Sequence, residues 1–191
     1  NALLSGGVIY QGEQDFNGQD QLTMVTNDLG NSGSGGALSD TDVVAIEVQP
    51  VNDAPVNQLP GSMTVKEDGS LSLSGVSVKD VDAGSAPVSM VLRVEHGVLT
   101  LLGATGAVVV QGAGTSEISL VGSLADLNQL LASNLHYEPA NDFWGQDTLT
   151  VTTSDQGNSG AGGPLSDTDQ VAITVTAEPD MPNLTVDQHA F

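Results

Sequence analysis

The sequence predicts an all-β chain built from β-sandwich repeats in tandem, with one short helix per repeat. Three observations carry this. Residues 1–55 align without a gap on residues 128–182, an offset of 127, and about 30 of the 55 positions are identical. Short apolar runs alternate with period two and are separated by Gly, Asp or Pro, which is the pattern of half-buried strands and turns. One segment breaks that period with leucines at helical spacing.

The repeat sets the expected organisation. Residues 1–51 read as the C-terminal half of a preceding unit, 52–178 as a complete unit and 179–191 as the start of the next. The chain then reads as a window on a tandem array, whose neighbours meet end to end. The longest matched stretch is DLGNSGSGGALSDTDVVAI (28–46) against DQGNSGAGGPLSDTDQVAI (155–173). The leading half-unit lacks its own early strands. Its apolar side chains Leu3, Leu4, Phe16, Leu22, Val44 and Ile46 are therefore expected to want a partner. The linkers QPVNDAPV (49–56) and TAEPDMPN (176–183) each follow a strand-like run, and proline there removes a donor and stiffens the crossing.

Within the complete unit the strand-like runs are 62–69, 70–80, 88–97, 97–103, 107–112, 115–122, 148–155 and 170–176. Ser123-Leu-Ala-Asp126 resembles a capping box, and Leu127, Leu130 and Leu131 follow at helical spacing, so 123–132 is predicted to be the helix. Tyr137, Phe143 and Trp144 come just after it. Trp144 is expected to plug one end of the sandwich, since its counterpart in the first copy is Asn17.

Composition narrows the function. The chain carries 24 acidic residues against three basic ones, a formal net charge of −21. Three cations cannot neutralise a phosphate backbone, so nucleic-acid binding is excluded, and anionic membrane surfaces are disfavoured. No apolar run reaches the roughly 20 residues of a membrane-spanning helix, so membrane insertion is not expected. Without Cys there is no disulfide framework and no thiolate site. A carboxylate-rich surface repels itself unless counter-ions intervene. The specific counter-ion that suits carboxylate, amide and carbonyl oxygens is calcium, Ca2+.

The segment YEPANDFWGQDTLTVTTSDQG, followed by DTDQVAITV and, in the first copy, by VNDAP, resembles the second half of a bacterial cadherin-like repeat. Asp142 and Asp147 fall at that family's acidic loop, Leu149 to Val151 and Asp155 at its next strand, and Val171, Ile173 and Val175 at its last. Asn52-Asp53-Ala54-Pro55 is similar to its linker, Asp80-Val81-Asp82 to its D-x-D and Glu67 to its early glutamate. The second linker departs from the pattern, since AEPDMP lacks the Asn. The V-N-D-A-P linker and the G-N-S-G-x-G-G-x-L-S-D-T-D segment also resemble those of giant repeats-in-toxin adhesins of Gram-negative bacteria, exported by type I secretion.

The resemblance implies a cadherin-like or immunoglobulin-like Greek-key sandwich with calcium at its junctions. One ligand cluster would draw on Asp80, Asp82, Asp155 and Asp169, with Asn52 and Asp53 from the linker and Asp15 and Asp20 from the preceding unit. A second would draw on Glu67, Asp68, Asp142, Asp147, Glu178 and Asp180. For Asp155, Asp167 and Asp169 the competing role is that of turn former and cap. The implied function is a calcium-stiffened extender repeat of a secreted, cell-surface adhesin serving attachment and biofilm formation. Its implied partners are neighbouring repeats, surface ligands or another copy. With a type I signal at the far C-terminus, no N-terminal signal peptide is expected.

The alternative is a ligand-binding sandwich for a polysaccharide or a partner repeat, against which the scarcity of aromatics argues. Enzyme chemistry finds no support. There is no G-x-S-x-G or H-E-x-x-H, and His96, His136 and His189 are scattered. The stretch GAGGPLSD (160–167) has no Lys and no following helix, so it reads as a hairpin tip rather than a phosphate loop.

Overall fold

The computed structural model describes residues 6–31, 33–103 and 106–180. The start of the third repeat, from residue 181 onward, and Leu3 and Leu4 lie outside them. The chain forms two compact units: Asn1–Asn52 with Ser159–Gly162, and Asp53–Asn158 with Gly163–Phe191.

The first unit is built on one antiparallel hairpin, β1 (Gly18–Asn27) and β2 (Ser39–Val48), in register from Gly18 opposite Val48 to Asn27 opposite Ser39. Its tip is closed by Asp28. The Oδ1 of Asp28 accepts the N–H groups of Gly30 and Leu38, each at 2.9 Å. Among the described residues from 6 to 51, no side chain is fully buried. A two-stranded hairpin alone is marginal in water.

The second unit contains β3 (Val56–Gln58), β4 (Met63–Lys66), β5 (Leu71–Ser72), β6 (Ser77–Lys79), β7 (Pro87–Arg93), β8 (Gly97–Leu101), β9 (Val109–Gln111) and β10 (Glu117–Ser123). Then follow α1 (Leu124–Asn134), β11 (Leu135–Pro139), β12 (Gly145–Ser154) and β13 (Ser166–Thr176). A six-stranded sheet runs β4-β13-β12-β7-β10-β9, all neighbours antiparallel except β13 with β4. A three-stranded sheet β5-β11-β8 and the pair β3-β6 complete an immunoglobulin-like or cadherin-like sandwich. Alternation places Val88, Met90 and Leu92 of β7, Ile118 and Leu120 of β10, and Leu149 and Val151 of β12 in one core with Leu99 and Tyr137. Burial of such side chains stabilises by roughly 1.5–3 kcal/mol each.

The helix forms where its sequence signals place it. Ser123 caps it, its Oγ accepting from the N–H of Asp126 at 3.2 Å, and Leu127, Leu130 and Leu131 are buried in the core. It extends two residues beyond the predicted end and passes directly into β11 at Leu135.

The internal repeat is equally plain in the backbone. β12–β13 reproduces the β1–β2 register shifted by 127, from Gly145 opposite Val175 to Ser154 opposite Ser166. Asp155 rebuilds the Asp28 tip, its Oδ1 accepting from Gly157 and Leu165 at 2.8 Å each.

Two expectations are corrected. The run 70–80 is not one strand. Gly75, at φ +92°, turns the chain between β5 and β6, and Leu73 and Val76 still reach the core. Trp144 does not plug the sandwich, being 67% exposed. Phe143 turns inward instead and stacks on His96, with ring centroids 4.3 Å apart.

Candidate functional site

The loop after β6 brings together Asp80, Asp82 and Asp53. The Oδ1 of Asp80 accepts from the N–H groups of Asp82 (3.1 Å) and Ala83 (3.0 Å), an Asx turn that folds the D-x-D back on itself. The Oδ2 of Asp82 accepts from the Asp53 N–H at 2.9 Å, so the linker residue docks on the same loop. The remaining oxygen of Asp80, Oδ2, is buried without a hydrogen-bond partner among the described residues. Burial, and then the neighbouring Asp82 carboxylate, push the Asp80 carboxyl above the usual carboxylate range.

The other residues expected beside this loop have work of their own. Asp155 is 1% exposed and closes the β12–β13 tip. Asp167 anchors β3, since its Oδ2 accepts from the Asn57 N–H at 2.8 Å and its carbonyl from the Asn57 side chain at 3.1 Å. Asp169 lies inside β13 opposite Val151, not at the strand's start. In the first unit, Asp15 is exposed at φ +60°. Asp20 accepts from the Tyr10 hydroxyl at 2.8 Å, which holds its carboxyl below the usual range. Asn52 is buried, and its N–H donates to the Ala161 carbonyl at 3.1 Å.

The second predicted cluster divides. Glu67 is buried, with Oε1 accepting from the Glu178 N–H at 2.5 Å, while the Glu178 carboxylate meets Lys66 at 2.6 Å. Glu67, Asp68 and Ser70 line an open hollow of about 250 Å³ with Glu138, Pro139 and Asn141. Asp142 is exposed at φ +59°, and Asp180 is exposed.

Asp147 is used quite differently from the expectation. It is 2% exposed and takes four hydrogen bonds: Glu95 N–H (2.9 Å) and Thr148 N–H (2.7 Å) on Oδ1, and His96 N–H (3.0 Å) and the Tyr137 hydroxyl (2.7 Å) on Oδ2. A carboxylate offers about four lone-pair sites, so this one has none left for an ion. Among the described residues no group of three His, Asp or Glu side chains gathers as a metal site.

Sequence reasoning missed Asn57. It is buried, receives the Thr153 hydroxyl at 2.6 Å, and ties β3 to β12 and β13. The duplicated Tyr–Asp pair, 10/20 and 137/147, was legible as a repeat but not as a hydrogen bond.

A family model described as "Bacterial Ig domain" matches residues 52–176. No curated protein matches the sequence. Solved structures to which the chain shows similarity include the seventh ScaB type I cohesin from Pseudobacteroides cellulosolvens, 12% identical, covering 70% of this chain and 97% of that one at a TM-score of 0.40. Mouse cadherin-23 EC22–24 is 20% identical over 82% of this chain and 42% of that one, TM-score 0.34. Human mucin-like protocadherin EC1–2 is 14% identical over 82% and 69%, TM-score 0.34.

Proposed function

The chain belongs to the bacterial Ig domain family through residues 52–176, and on that footing we propose that it is a calcium-binding extender segment of a large, secreted, cell-surface adhesin, stiffening a stalk for attachment and biofilm formation. The observation that carries the calcium reading is the Asp80–Asp82 pair. Two carboxylates are held side by side by the Asx turn, and among the described residues one oxygen of Asp80 is buried without a hydrogen-bond partner. Such an arrangement costs stability while both groups are ionised, and a bound cation relieves it without protonating either. The donors are hard oxygens, which suits calcium. Asp80 and Asp82 would hold the ion, with backbone carbonyls and water completing its shell, and the ion would supply neutralising charge at the loop where Asp53 docks. The export route by type I secretion is part of this proposal and rests on the linker and tip segments.

Thermal melting tests it. Saturating calcium, about a hundredfold over its Kd, is expected to stabilise the chain by about 2.7 kcal/mol, roughly 10 °C in Tm for a unit of this size. Asp80→Asn is expected to change sign with the metal. In chelator its new amide donates toward Asp82 and removes a repulsive charge, so Tm rises. In calcium it removes a ligand, so Tm falls below that of the unsubstituted chain. Superimposed curves with calcium and with chelator would sink the reading.

A second reading, a sandwich that binds a polysaccharide directly, is favoured by one observation, the exposed indole of Trp144. Glycan binding that disappears in Trp144→Ala would support it; a chain inert on a glycan array would remove it.

A further inference from the structure

The six-stranded sheet of the second unit has one face on the core and one outside it. Alternation along each strand sets which residues stand outside. On β12 they are Gln146, Thr148, Thr150, Thr152 and Ser154. Three cross-strand hydrogen bonds tie this row to β13. Gln146 Nε2 donates to Thr174 Oγ1 at 3.0 Å, Gln170 Nε2 donates to Thr150 Oγ1 at 3.2 Å, and the Thr152 and Thr168 hydroxyls meet at 3.0 Å. From Gln146 to Thr152 the row runs about 20 Å, at roughly 3.4 Å per residue.

This face stands apart in charge. Residues 53–178 carry fifteen acidic side chains. On the outer positions of β7, β10, β12 and β13 only Glu117 is acidic, and it lies opposite Arg93. A chain of net charge −21 thus presents a flat surface of hydroxyls and amides with no net charge of its own. At one end of the row Trp144 precedes Gln146 by two positions. Its indole is 67% exposed, while Phe143 packs on the core. The first copy differs at these positions. Trp144 corresponds to Asn17, Gln170 to Val43, Thr152 to Val25 and Thr174 to Glu47, so each bonded pair has one hydroxyl or amide replaced. The β1–β2 hairpin keeps the same register without them. The hydroxyl and amide row is therefore a property of this repeat and not a requirement of the shared hairpin.

Charge and chemistry select the occupant. The carboxylates around the face repel an anionic polymer, over a Debye length of about 10 Å at 0.1 M salt. Protein interfaces centre on aromatic, Met and Arg anchors and are depleted in Ser, whereas this face sets Ser, Thr and Gln around Val91 and Val121. A neutral sugar chain matches it better. Sugar hydroxyls donate and accept, as Thr and Gln side chains do, and the C–H faces of sugar rings pack on an indole.

We propose that the outer face of β12 and β13 binds an uncharged, extended polysaccharide lying along β12. Trp144 stacks on a ring at one end, and Gln146, Thr150, Thr152 and Gln170 hydrogen-bond to ring hydroxyls. The cross-strand bonds hold these side chains in place before the ligand arrives, which lowers the ordering cost of binding. The proposal rests on the second reading above and names its ligand class and its site.

Affinity electrophoresis of the 191-residue chain tests it, run in chelator so that the outcome is independent of the calcium reading. The neutral probes are hydroxyethylcellulose and mixed-linkage β-glucan, and the anionic control is alginate. Retardation is expected in a neutral gel and not in alginate. Thr150→Val and Thr152→Val keep strand-forming side chains and lose the hydroxyl. Each is expected to weaken neutral binding about threefold, the worth of one modest hydrogen bond. Trp144→Asn, which installs the residue of the first copy, is expected to weaken it about tenfold or more. Melting curves check that each variant is folded. Binding lost in Trp144→Asn but unchanged in both threonine variants would leave the second reading standing and overturn this site. No retardation in either neutral gel would overturn both. Equal retardation in alginate would overturn the proposal, because charge would then not select the ligand. So would a chain that dimerises and is returned to monomer by Thr150→Arg, since the occupant would then be a second copy.

Discussion

Asp147 shows how one residue type can serve opposite ends. It takes four hydrogen bonds, and the donors around it come from three separate segments of the second unit. Removing it strands buried donors, each costing about 1–3 kcal/mol. Asp147→Ala is therefore expected to lose about 3 kcal/mol or more in denaturant unfolding, while the same change at its exposed counterpart Asp20 leaves the midpoint unmoved. Equal effects at the two sites would show that the burial difference is not what matters. Tyr137 adds a pH dependence. Burial, then the adjacent Asp147 carboxylate, raise its hydroxyl well above the ordinary tyrosine range. A raised folded-state value means that its contribution is complete below about pH 10, the unfolded value, and is lost as pH rises beyond it. Unfolding midpoints measured from pH 8 to 11 should fall above pH 10, and Tyr137→Phe should flatten that fall. A slope unchanged by the substitution would assign it to another group.

At the scale of elements, side chains replace backbone where strands are short. Asn128 of α1 donates to the Val78 carbonyl and accepts its N–H, both at 2.9 Å, so the helix carries a two-bond ladder to β6 that a neighbouring strand would otherwise supply. The Gly-rich tip makes the complementary point. Within the first unit, Ala161 donates to the Pro50 carbonyl at 2.8 Å and accepts from the Asn52 N–H. A Cβ on Gly160 would lie 2.5 Å from the Asn52 nitrogen and the Val51 carbonyl carbon, both backbone atoms. Gly33, its counterpart at a similar φ of +101°, has nothing within 4 Å. Both bear the left-handed cost of about 1–2 kcal/mol if made alanine, but only Gly160→Ala should raise the exchange rate of the Asn52 amide. Equal rates in the two variants would contradict the contact.

At the scale of the whole molecule, the two units differ in kind. Residues 53–178 hold the described core, and the hairpin of the first unit buries none of its described side chains fully. Limited proteolysis of the 191-residue chain is expected to cut before about Val51 and to leave a resistant fragment near 52–178. Residues 6–50 as resistant as that fragment, in a monomeric sample, would place the boundary elsewhere. The net charge of −21 acts on both units. Monovalent salt screens it over a Debye length of about 10 Å at 0.1 M, a general effect that Asp80→Asn separates from specific calcium binding.

By itself the sequence determined the β-sandwich class, the 127-residue repeat, the helix and its Ser123 cap, and the strand-like runs of β7, β10, β12 and β13. These are local periodicities and duplicated strings, and the physics that reads them acts over a few residues. It also marked Asp80 and Asp82, through the likeness of Asp80-Val81-Asp82 to the D-x-D of cadherin-like repeats, and the Asx turn there is a local event. Only the tertiary structure decided that Asp147 is filled by Glu95, His96 and Tyr137, that Asp167 serves Asn57, and that Phe143 rather than Trp144 turns inward. Aspartate is equally suited to an ion, a turn or a buried amide. Which of these it meets depends on donors that arrive from residues up to 110 positions away in the chain, and sequence spacing carries no record of them.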